Sequence, residues 1–431
     1  MKDPVILSDD EIREHYVPRI VDKEVKDMLE LFGAVQISGC KWCGKSWTGI
    51  AHSKSSIFIG NPKNRILADT DPEIALRGDE PRLIDEWQDV PALWDTARYN
   101  IDLSGRKGMY IFTGSVTPPL ESTKHSGVGR FAPVKMRPMS LFESGESKGS
   151  VSLSELFLGA RPVSSISEAG YEKVVNLICR GGWPAGLKLD DDKAMLISKR
   201  YVDMIVNFDF SRTDGVRRNP ATVRRVLRSL ARNNATEARI SVLANDVKDA
   251  DLPISPLTAS GYLDALKRMF IIEEQKPWLP GIRSKIRMRK SPKRHFVDPS
   301  LAVAALGIGP KALLKDVETA GLMFESLCYR DLCIYSAPFR GNVYHYRDDS
   351  GLEADAIIEA DDGRWAAAEI KMGHSKVDEA AANLIRLKDK VTKEGDVPEP
   401  AFLMVICATA MSSYVRREDG VCVVPIDCLG P

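Results

Sequence analysis

The chain has 431 residues, of which 44% are apolar and 28% are charged, and sixty Lys and Arg balance sixty Asp and Glu. This composition is typical of soluble globular proteins and excludes a disordered or collagen-like chain. Because the formal net charge is zero, a surface for a polyanion has to be a local patch. At roughly 100–200 residues per domain, the length predicts two to four domains.

The sequence predicts a protein without a membrane span. No stretch approaches about eighteen uncharged apolar residues, and the acidic first residues do not resemble a signal peptide. The eight cysteines are scattered, mostly within apolar runs, as reduced core cysteines are. We therefore expect a cytoplasmic location.

In chain order, the first predicted element is a helix over residues 10–32, which ends at Gly33. Short apolar strands then alternate with helix-length segments, which is the pattern of a parallel sheet covered by helices. These strands are predicted at 34–37, 56–59, 83–84 and 109–112. A weakly patterned stretch rich in Ser and Gly at 144–170 places the end of this domain near residue 150.

Three helical patterns between residues 220 and 269 precede an apolar strand at 270–272, an order that fits a winged helix-turn-helix. The last part of the chain returns to mixed strands and helices. We therefore expect an α/β protein in four parts. They are a phosphate-binding core at 1–150, a helical lid or connector at 151–219, a winged helix-turn-helix with a basic strand at 220–295, and an α/β domain at 296–431.

A phosphate-binding loop is predicted between the first strand and the next helix, where GCKWCGKS matches G-x-x-x-x-G-K-[ST] in full. The backbone N–H groups of such a loop surround phosphates, helped by the helix N-terminus. Lys45 would neutralise the β- and γ-phosphates, and Ser46 would ligate Mg²⁺. We therefore predict ATP and Mg²⁺ as ligands. The loop residues are Gly39, Cys40, Lys41, Trp42, Cys43, Gly44, Lys45 and Ser46.

Cys40 and Cys43 of this loop form a C-x-x-C pattern, which is also found in zinc and redox sites. No second C-x-x-C and no paired histidines accompany them, and both occupy variable positions of the loop motif. We interpret them as loop residues whose thiol chemistry is incidental.

An acidic pair, Asp85 and Glu86, ends the third predicted strand. Asp85 suits the Mg²⁺ shell, and Glu86 suits a general base for the attacking water. Thr113 ends the next strand, where its hydroxyl would contact the γ-phosphate or that water, although Thr-Gly-Ser is also ordinary turn chemistry. Arg130, in a glycine-rich loop, is either an arginine finger, acting in its own subunit or in a neighbour, or simply a solvated side chain.

A second site is predicted on a β-hairpin whose loop is Asp361-Asp362-Gly363. This loop places Asp355 opposite Glu369, with Lys371 on the same face. A divalent cation between the two carboxylates would relieve their repulsion, and Lys371 would polarise a phosphate or a metal-bound water. Glu325, on the preceding helix, would complete the metal shell. The alternative is a solvent-exposed hairpin with salt bridges.

Two basic clusters predict contact with a nucleic-acid backbone. Residues 281–295 contain seven Lys and Arg and no acid, and six arginines lie between 217 and 232. Such clusters give salt-sensitive, sequence-independent affinity, and without interleaved aromatic residues they favour contact with a duplex or its backbone over stacking on a single strand. We expect DNA rather than RNA as the partner, although the sequence leaves this choice open. The alternative is a solvated edge strand protected by charge.

The motifs GCKWCGKSWTG, LIDEWQD, FTGSVTP, HSGVGR and MRPMSLFESGE resemble the amino-terminal half of bacterial and archaeal two-domain AAA-superfamily ATPases. The blocks GGWPAG, GLMFESLCYRDL and LEADAIIE with AAEIK resemble its carboxy-terminal half, a domain of unknown function similar to the restriction-endonuclease (PD-(D/E)xK) fold. The resemblance implies ATP binding and hydrolysis by Lys45, Ser46, Asp85 and Glu86. Trp42 departs from many members, which carry a polar residue there.

We therefore expect a Mg²⁺-dependent ATPase coupled to a nuclease-like module that contacts DNA, with nuclease activity and homo-oligomerisation left open. The alternative is an ATP-dependent switch or sensor, in which an inactive nuclease-like module holds a protein partner. Slow turnover with nucleotide-dependent oligomerisation would favour this alternative.

Overall fold

The computed structural model describes residues 8–116, 127–210, 218–247, 254–281, 291–394 and 397–431. The chain divides into two compact units. The first runs to Pro138 and includes Arg268–Phe270, and the second comprises Met139–Lys267 and Ile271–Pro431. No helix in the described part of the chain is long and apolar enough to cross a membrane.

The first unit is a parallel sheet with helical connections. Its described strands are β1 (Ala34–Ser38), β2 (Ser55–Phe58), β3 (Arg82–Asp85), β4 (Tyr110–Gly114) and β5 (Phe131–Lys135). They pair in the order β2-β3-β4-β1-β5, and each described pair is parallel. The connecting helices are α1 (Asp9–His15), α2 (Val21–Leu31), α3 (Lys45–Ala51), α4 (Pro62–Thr70), α5 (Pro72–Leu76) and α6 (Ala92–Ser104).

The order of these strands determines what meets at the edge of the sheet. Strand β4 lies between β1 and β3, so the segments after Ser38, Asp85 and Gly114 leave the same edge side by side. On one side of the sheet the core is aromatic, with the Trp94 ring 3.7 Å from that of Phe131. The predicted parallel sheet is therefore confirmed.

One predicted helix of the first unit is wrong as a single element. Residues 10–32 form two helices, α1 and α2, separated by an extended segment that contains Pro18. Proline lacks an N–H donor and disfavours helical backbone in the preceding residue, so the helical pattern cannot continue through it. Tyr16 instead donates its hydroxyl to Asp22, 2.7 Å away.

The second unit begins with helices that surround a buried ion triad. Arg330 donates to Asp298 at 2.7 Å and to its neighbour Asp331 at 2.8 Å, and all three side chains are buried. Asp298 also accepts from the backbone N–H of Gly182, where a Cβ would lie 2.0 Å from the Met139 carbonyl oxygen. Only glycine fits this approach, which explains the second glycine of the GGWPAG block.

The helical part of the second unit is described with its first short strand. The elements are β6 (Val151–Ser152), α7 (Leu153–Phe157), α8 (Tyr171–Arg180), α9 (Asp191–Met204), α10 (Pro220–Arg232), α11 (Ile240–Asp246), α12 (Pro256–Arg268), α13 (Pro299–Leu306), α14 (Pro310–Leu313) and α15 (Val317–Tyr335). Strands β7 (Ile272–Gln275) and β8 (Lys293–Phe296) pair as an antiparallel ribbon. The predicted basic strand over 283–289 lies outside the described residues.

The last part of the chain contains a mixed sheet. Its described strands are β9 (Asn342–Arg347), β10 (Glu353–Glu359), β11 (Trp365–Lys371), β12 (Leu403–Cys407), β13 (Tyr414–Val415) and β14 (Cys422–Pro425), in the order β13-β14-β12-β11-β10-β9. Helix α16 (Val377–Glu394) packs against an apolar face of this sheet through Leu384 and Leu387. A final strand, β15 (Leu429–Gly430), pairs with β6.

The predicted hairpin register is confirmed. Ala356 pairs with Ala368, and the Ala360 N–H donates to the Arg364 carbonyl at 2.8 Å, so the turn closes as expected. Gly363 has φ 84°, the left-handed conformation that the loop requires. On the other side of β10 the pairing with β9 is irregular between Ala354 and Ile357, a bulge that lies next to Asp355.

Candidate functional site

The loop after β1 has the backbone of a tight phosphate cradle. Gly44 has φ 107° and Trp42 has φ 65°, both in the left-handed region. A Cβ on Gly39 would lie 2.1 Å from the Met136 carbonyl oxygen, so the loop passes against the segment after β5. Helix α3 starts at Lys45, so its N-terminus faces the loop, where anions are favoured.

The Lys45 side chain is buried and contacts the backbone of its own loop. It is 6% exposed, and its Nζ donates to the Cys40 carbonyl at 2.8 Å. Ser46, the next residue, donates its hydroxyl to Asp85 Oδ1 at 2.7 Å. The parallel order β3-β4-β1 makes this contact, because β1 and β3 end at the same edge of the sheet.

Asp85 accepts a second hydrogen bond, from the Thr113 hydroxyl at 2.6 Å on the same Oδ1 atom. Burial raises the pKa of Asp85 above its ordinary value, although the bonds from Thr113 and Ser46 act in the opposite direction. Thr113 is 1% exposed and directed at Asp85, so in this structure it orients the carboxylate. Contact of Thr113 with the γ-phosphate or the attacking water stays a prediction.

Glu86, the residue after Asp85, has an unusual backbone conformation. Its φ of 54° lies in the left-handed region, which non-glycine residues rarely adopt and which clusters at functional sites. Ser115 donates to Glu86 Oε2 at 3.2 Å, and the Gln88 amide donates to the same oxygen. Sequence reasoning missed Ser115 and Gln88 as site residues, although Ser115 belongs to the Thr-Gly-Ser turn that it had noted.

The structure does not bring Arg130 to this site. The Arg130 carbonyl accepts from the N–H of Ala34, at the amino end of β1, whereas the phosphate loop follows Ser38 at the carboxyl end. Four residues of strand separate the two ends by about 13 Å. The guanidinium donates to Asp102 at 2.7 Å. The arginine-finger role within its own subunit is therefore not supported, and action from a neighbouring subunit stays a prediction.

The second predicted site forms a cluster of three carboxylates and two lysines, called here the carboxylate–lysine cluster: Glu325, Asp355, Glu369, Lys293 and Lys371. Lys371 Nζ lies 3.1 Å from Asp355 and 2.5 Å from Glu369. Lys293 Nζ lies 2.6 Å from Glu325 and 3.7 Å from Asp355. The structure thus brings together all four predicted residues and adds Lys293 from the β7–β8 ribbon.

The electrostatics of the cluster follow from its burial. Burial and, after it, the neighbouring charge of Asp355 raise the pKa of Glu369 to about 8, although Lys371 acts in the opposite direction. Burial likewise raises the pKa of Glu325 to about 7. Asp355 is different: burial would raise its pKa, but Lys293 and Lys371 outweigh this and hold it below the ordinary value. Asp355 is therefore the carboxylate that stays charged.

The two ammonium groups supply the positive charge that the sequence argument assigned to a divalent cation. Among the described residues, no three His, Cys, Asp or Glu side chains are grouped in a way that could hold a metal ion. Lys293 was missed because its sequence context is a basic run, and its contact with Glu325 joins β8 to helix α15, 32 positions further along the chain. No local sequence signal marks it.

Three family models match separate parts of the chain. One, described as an AAA domain, matches residues 32–144, which hold the loop, Asp85 and Glu86. Residues 32–144 are therefore called the AAA domain, after this match. Two domains of unknown function follow, DUF8612 at 171–312 and DUF4143 at 320–429.

The sequence similarity to other proteins extends beyond the AAA domain. Uncharacterized proteins of Mycobacterium tuberculosis and Mycobacterium bovis are each 26% identical over 305 residues, which is 70% of this chain and 61% of theirs. The match therefore covers less than two thirds of these relatives. A Walker-type ATPase of Pyrococcus abyssi aligns with a TM-score of 0.42 at 17% identity, over 68% of this chain and 97% of its own.

Proposed function

We propose that the AAA domain binds ATP and hydrolyses it in a Mg²⁺-dependent reaction. The observation that carries this proposal is the hydrogen-bonded line from Ser46 through Asp85 to Thr113, with Glu86 held beside it. Binding a nucleotide needs one carboxylate near the metal, whereas hydrolysis also needs a group that takes a proton from water. We assign that group to Glu86.

The loop residues fit a nucleotide with its metal ion. Lys45 would exchange the Cys40 carbonyl for phosphate oxygens, and the N–H groups at the start of α3 would face the same anion. Ser46 and Asp85 offer the hard oxygen ligands that Mg²⁺ prefers, and they already contact each other. Mg²⁺, when bound with the nucleotide, would neutralise charge on the transferred phosphoryl group.

Glu86 would act on the water through the oxygen that its neighbours do not use. Ser115 and Gln88 both donate to Oε2, so we assign to Oε1 the proton of the attacking water. Holding Oε2 fixes the direction of Oε1, because a carboxylate is planar. Glu86 follows Asp85 directly in the chain, and we expect its Oε1 to lie on the side where the γ-phosphate of the nucleotide would bind.

Replacing Lys45 by Ala tests nucleotide binding. We expect the affinity for ATP to fall about tenfold to a hundredfold, the worth of one hydrogen bond to a charged group, and turnover to fall with it. Titration with a fluorescent ATP analogue and Mg²⁺-dependent phosphate release would measure both. The matched control is Lys54→Ala, an exposed lysine just after α3, which should change neither. Equal affinity in the wild type and Lys45→Ala would refute the proposal.

We also propose that the second unit contacts a DNA backbone. Arg224, Arg228 and Arg232 are exposed on α10 at every fourth position, so they form one basic stripe. Helices α10, α11 and α12 with the β7–β8 ribbon are the elements that a winged helix-turn-helix contains, which supports this assignment. The four domain boundaries predicted from the sequence and the restriction-endonuclease-like fold of the last part are retained as proposals.

The carboxylate–lysine cluster favours a second candidate for the last part of the chain, a nuclease-like module that does not cut. Lys293 and Lys371 sit within hydrogen-bond or ion-pair distance of the carboxylates that a catalytic metal would need. A cation entering there would have to displace a half-buried ammonium group. ATP binding would then act as a switch for a partner held by this module.

A cleavage assay distinguishes a module that does not cut DNA from one that does. We expect supercoiled plasmid to stay intact with the full chain, with ATP and with either Mg²⁺ or Mn²⁺, for the wild type and for Asp355→Ala alike. Agarose gels would measure the nicked and linear fractions. Nicking by the wild type that is lost in Asp355→Ala would reject the second candidate and assign nuclease activity to the cluster.

A further inference from the structure

The two cysteines of the phosphate loop lie three positions apart, on either side of a tight turn. A turn at Lys41 and Trp42 reverses the chain between them, and the side chains of Cys40 and Cys43 are hydrogen-bonded to each other. The ends of such a turn have Cα atoms less than about 7 Å apart, within the range that a disulfide bridges. Both thiols are fully buried, while Trp42 between them is 44% exposed. The turn that covers the pair is thus at the surface.

Cys43 differs chemically from the other buried cysteines. The bond from Cys40 and the nearby charges of Lys45 and Arg19 lower its pKa to about 6, against the effect of burial. Arg19 is fixed there because its guanidinium donates to the Cys43 carbonyl at 2.9 Å. By contrast, burial raises the pKa of Cys179 to about 12. Cys43, whose Sγ lies 3.8 Å from the Met136 carbonyl oxygen, is therefore an acidic thiol with a second thiol beside it, which is the arrangement of a reactive pair.

We propose that Cys40 and Cys43 form a reversible disulfide that turns nucleotide binding off. Hydrogen peroxide is the oxidant considered. The Cys43 thiolate attacks one peroxide oxygen, the O–O bond breaks, and the hydroxide that leaves takes up a proton to become water. Cys40 then attacks the sulfenic sulfur of Cys43, the S–O bond breaks, and a second water leaves as the S–S bond forms. Two thiols and one peroxide thus give one disulfide and two waters.

The disulfide would change the loop because its bond is short. Two sulfur atoms in a hydrogen bond must approach to about 2.05 Å in a disulfide, which tightens the turn at Lys41 and Trp42. The backbone N–H groups of this turn belong to the proposed phosphate-binding loop, and the Cys40 carbonyl accepts a hydrogen bond from Lys45. The effect on nucleotide binding rests on the proposed function of the AAA domain, whereas the thiol chemistry does not.

The test uses the full chain, oxidised with hydrogen peroxide and compared with protein kept in dithiothreitol. Peptide mass mapping would detect the loss of two hydrogens in the peptide that contains Cys40 and Cys43, and titration with a fluorescent ATP analogue would measure affinity. In the wild type we expect this disulfide, with affinity weakened about tenfold or more, the effect of one lost charge-assisted hydrogen bond. Dithiothreitol should restore both.

Two variants make the test specific. Cys43→Ser should form no disulfide in this peptide, and its nucleotide affinity should not respond to peroxide. Cys179→Ser, which removes a buried thiol outside the loop, should respond as the wild type does. A wild-type peptide without the disulfide would overturn the thiol chemistry, and a mapped disulfide with unchanged affinity would overturn the switch. Absence of binding by the reduced wild type would instead overturn the proposed function and the switch together, while the mapped peptide still decides the thiol chemistry.

Discussion

Replacing Glu86 by Gln is expected to slow ATP turnover by about 10²–10⁴-fold, the usual contribution of a general base. The amide keeps the size of the side chain and the hydrogen bond from Ser115, but it cannot accept a proton from water. Nucleotide affinity should change little, because Lys45 and Ser46 are untouched. Phosphate release at saturating ATP would measure turnover, and a fluorescent analogue would measure affinity.

The control for Glu86→Gln is Asp89→Asn, a carboxylate in the same segment whose partner is Arg65 at 3.7 Å. It should turn over ATP at the wild-type rate. Retained turnover in Glu86→Gln would show that another group takes the proton. Negligible turnover by the wild type itself, together with tight ATP binding, would replace the ATPase with the switch.

Replacing Arg330 by Met is expected to lower the free energy of unfolding by about 3–5 kcal/mol, the cost of removing one member of a buried ion network. The variant leaves the carboxylates of Asp298 and Asp331 facing each other without their shared cation. Asp298 and Asp331 also accept hydrogen bonds from the backbone N–H groups of Gly182 and Leu141. Movement of the two carboxylates would therefore also disturb the backbone at these two positions. Urea unfolding followed by tryptophan fluorescence would measure the change.

Arg200→Met is the matched control for Arg330→Met. The Arg200 side chain is 78% exposed, and its contact with Asp203 is weak, at 3.9 Å. The substitution should therefore change the free energy of unfolding by less than about 0.5 kcal/mol. If the two variants lost equal stability, the triad would not be the anchor of the helical part of this unit. The assay reports on folding and is independent of any activity.

The meeting of Ser46 and Thr113 with Asp85 could be predicted because its signals are local. The loop motif lies between a strand and a helix, and strands of one parallel sheet end at one edge, so Lys45, Ser46, Asp85 and Thr113 had to meet. The hairpin register was equally readable, because the three-residue loop and the alternating apolar positions fix it.

The errors have equally specific causes. The sequence left the role of Arg130 open because β5, which contains Pro133, was not recognised as a strand, and an edge strand is where proline is tolerated. Once β5 is known to run parallel to β1, Arg130 must lie at the edge opposite the loop. Lys293 was missed because it reaches the carboxylates only through pairing of segments that are distant in sequence.

The bond from Lys45 to the Cys40 carbonyl has a consequence for the kinetics of nucleotide capture. If the AAA domain binds ATP as proposed, capture would exchange one acceptor of this ammonium group for another, and release would reverse the exchange. The strength of the contact with the Cys40 carbonyl would then influence both rates.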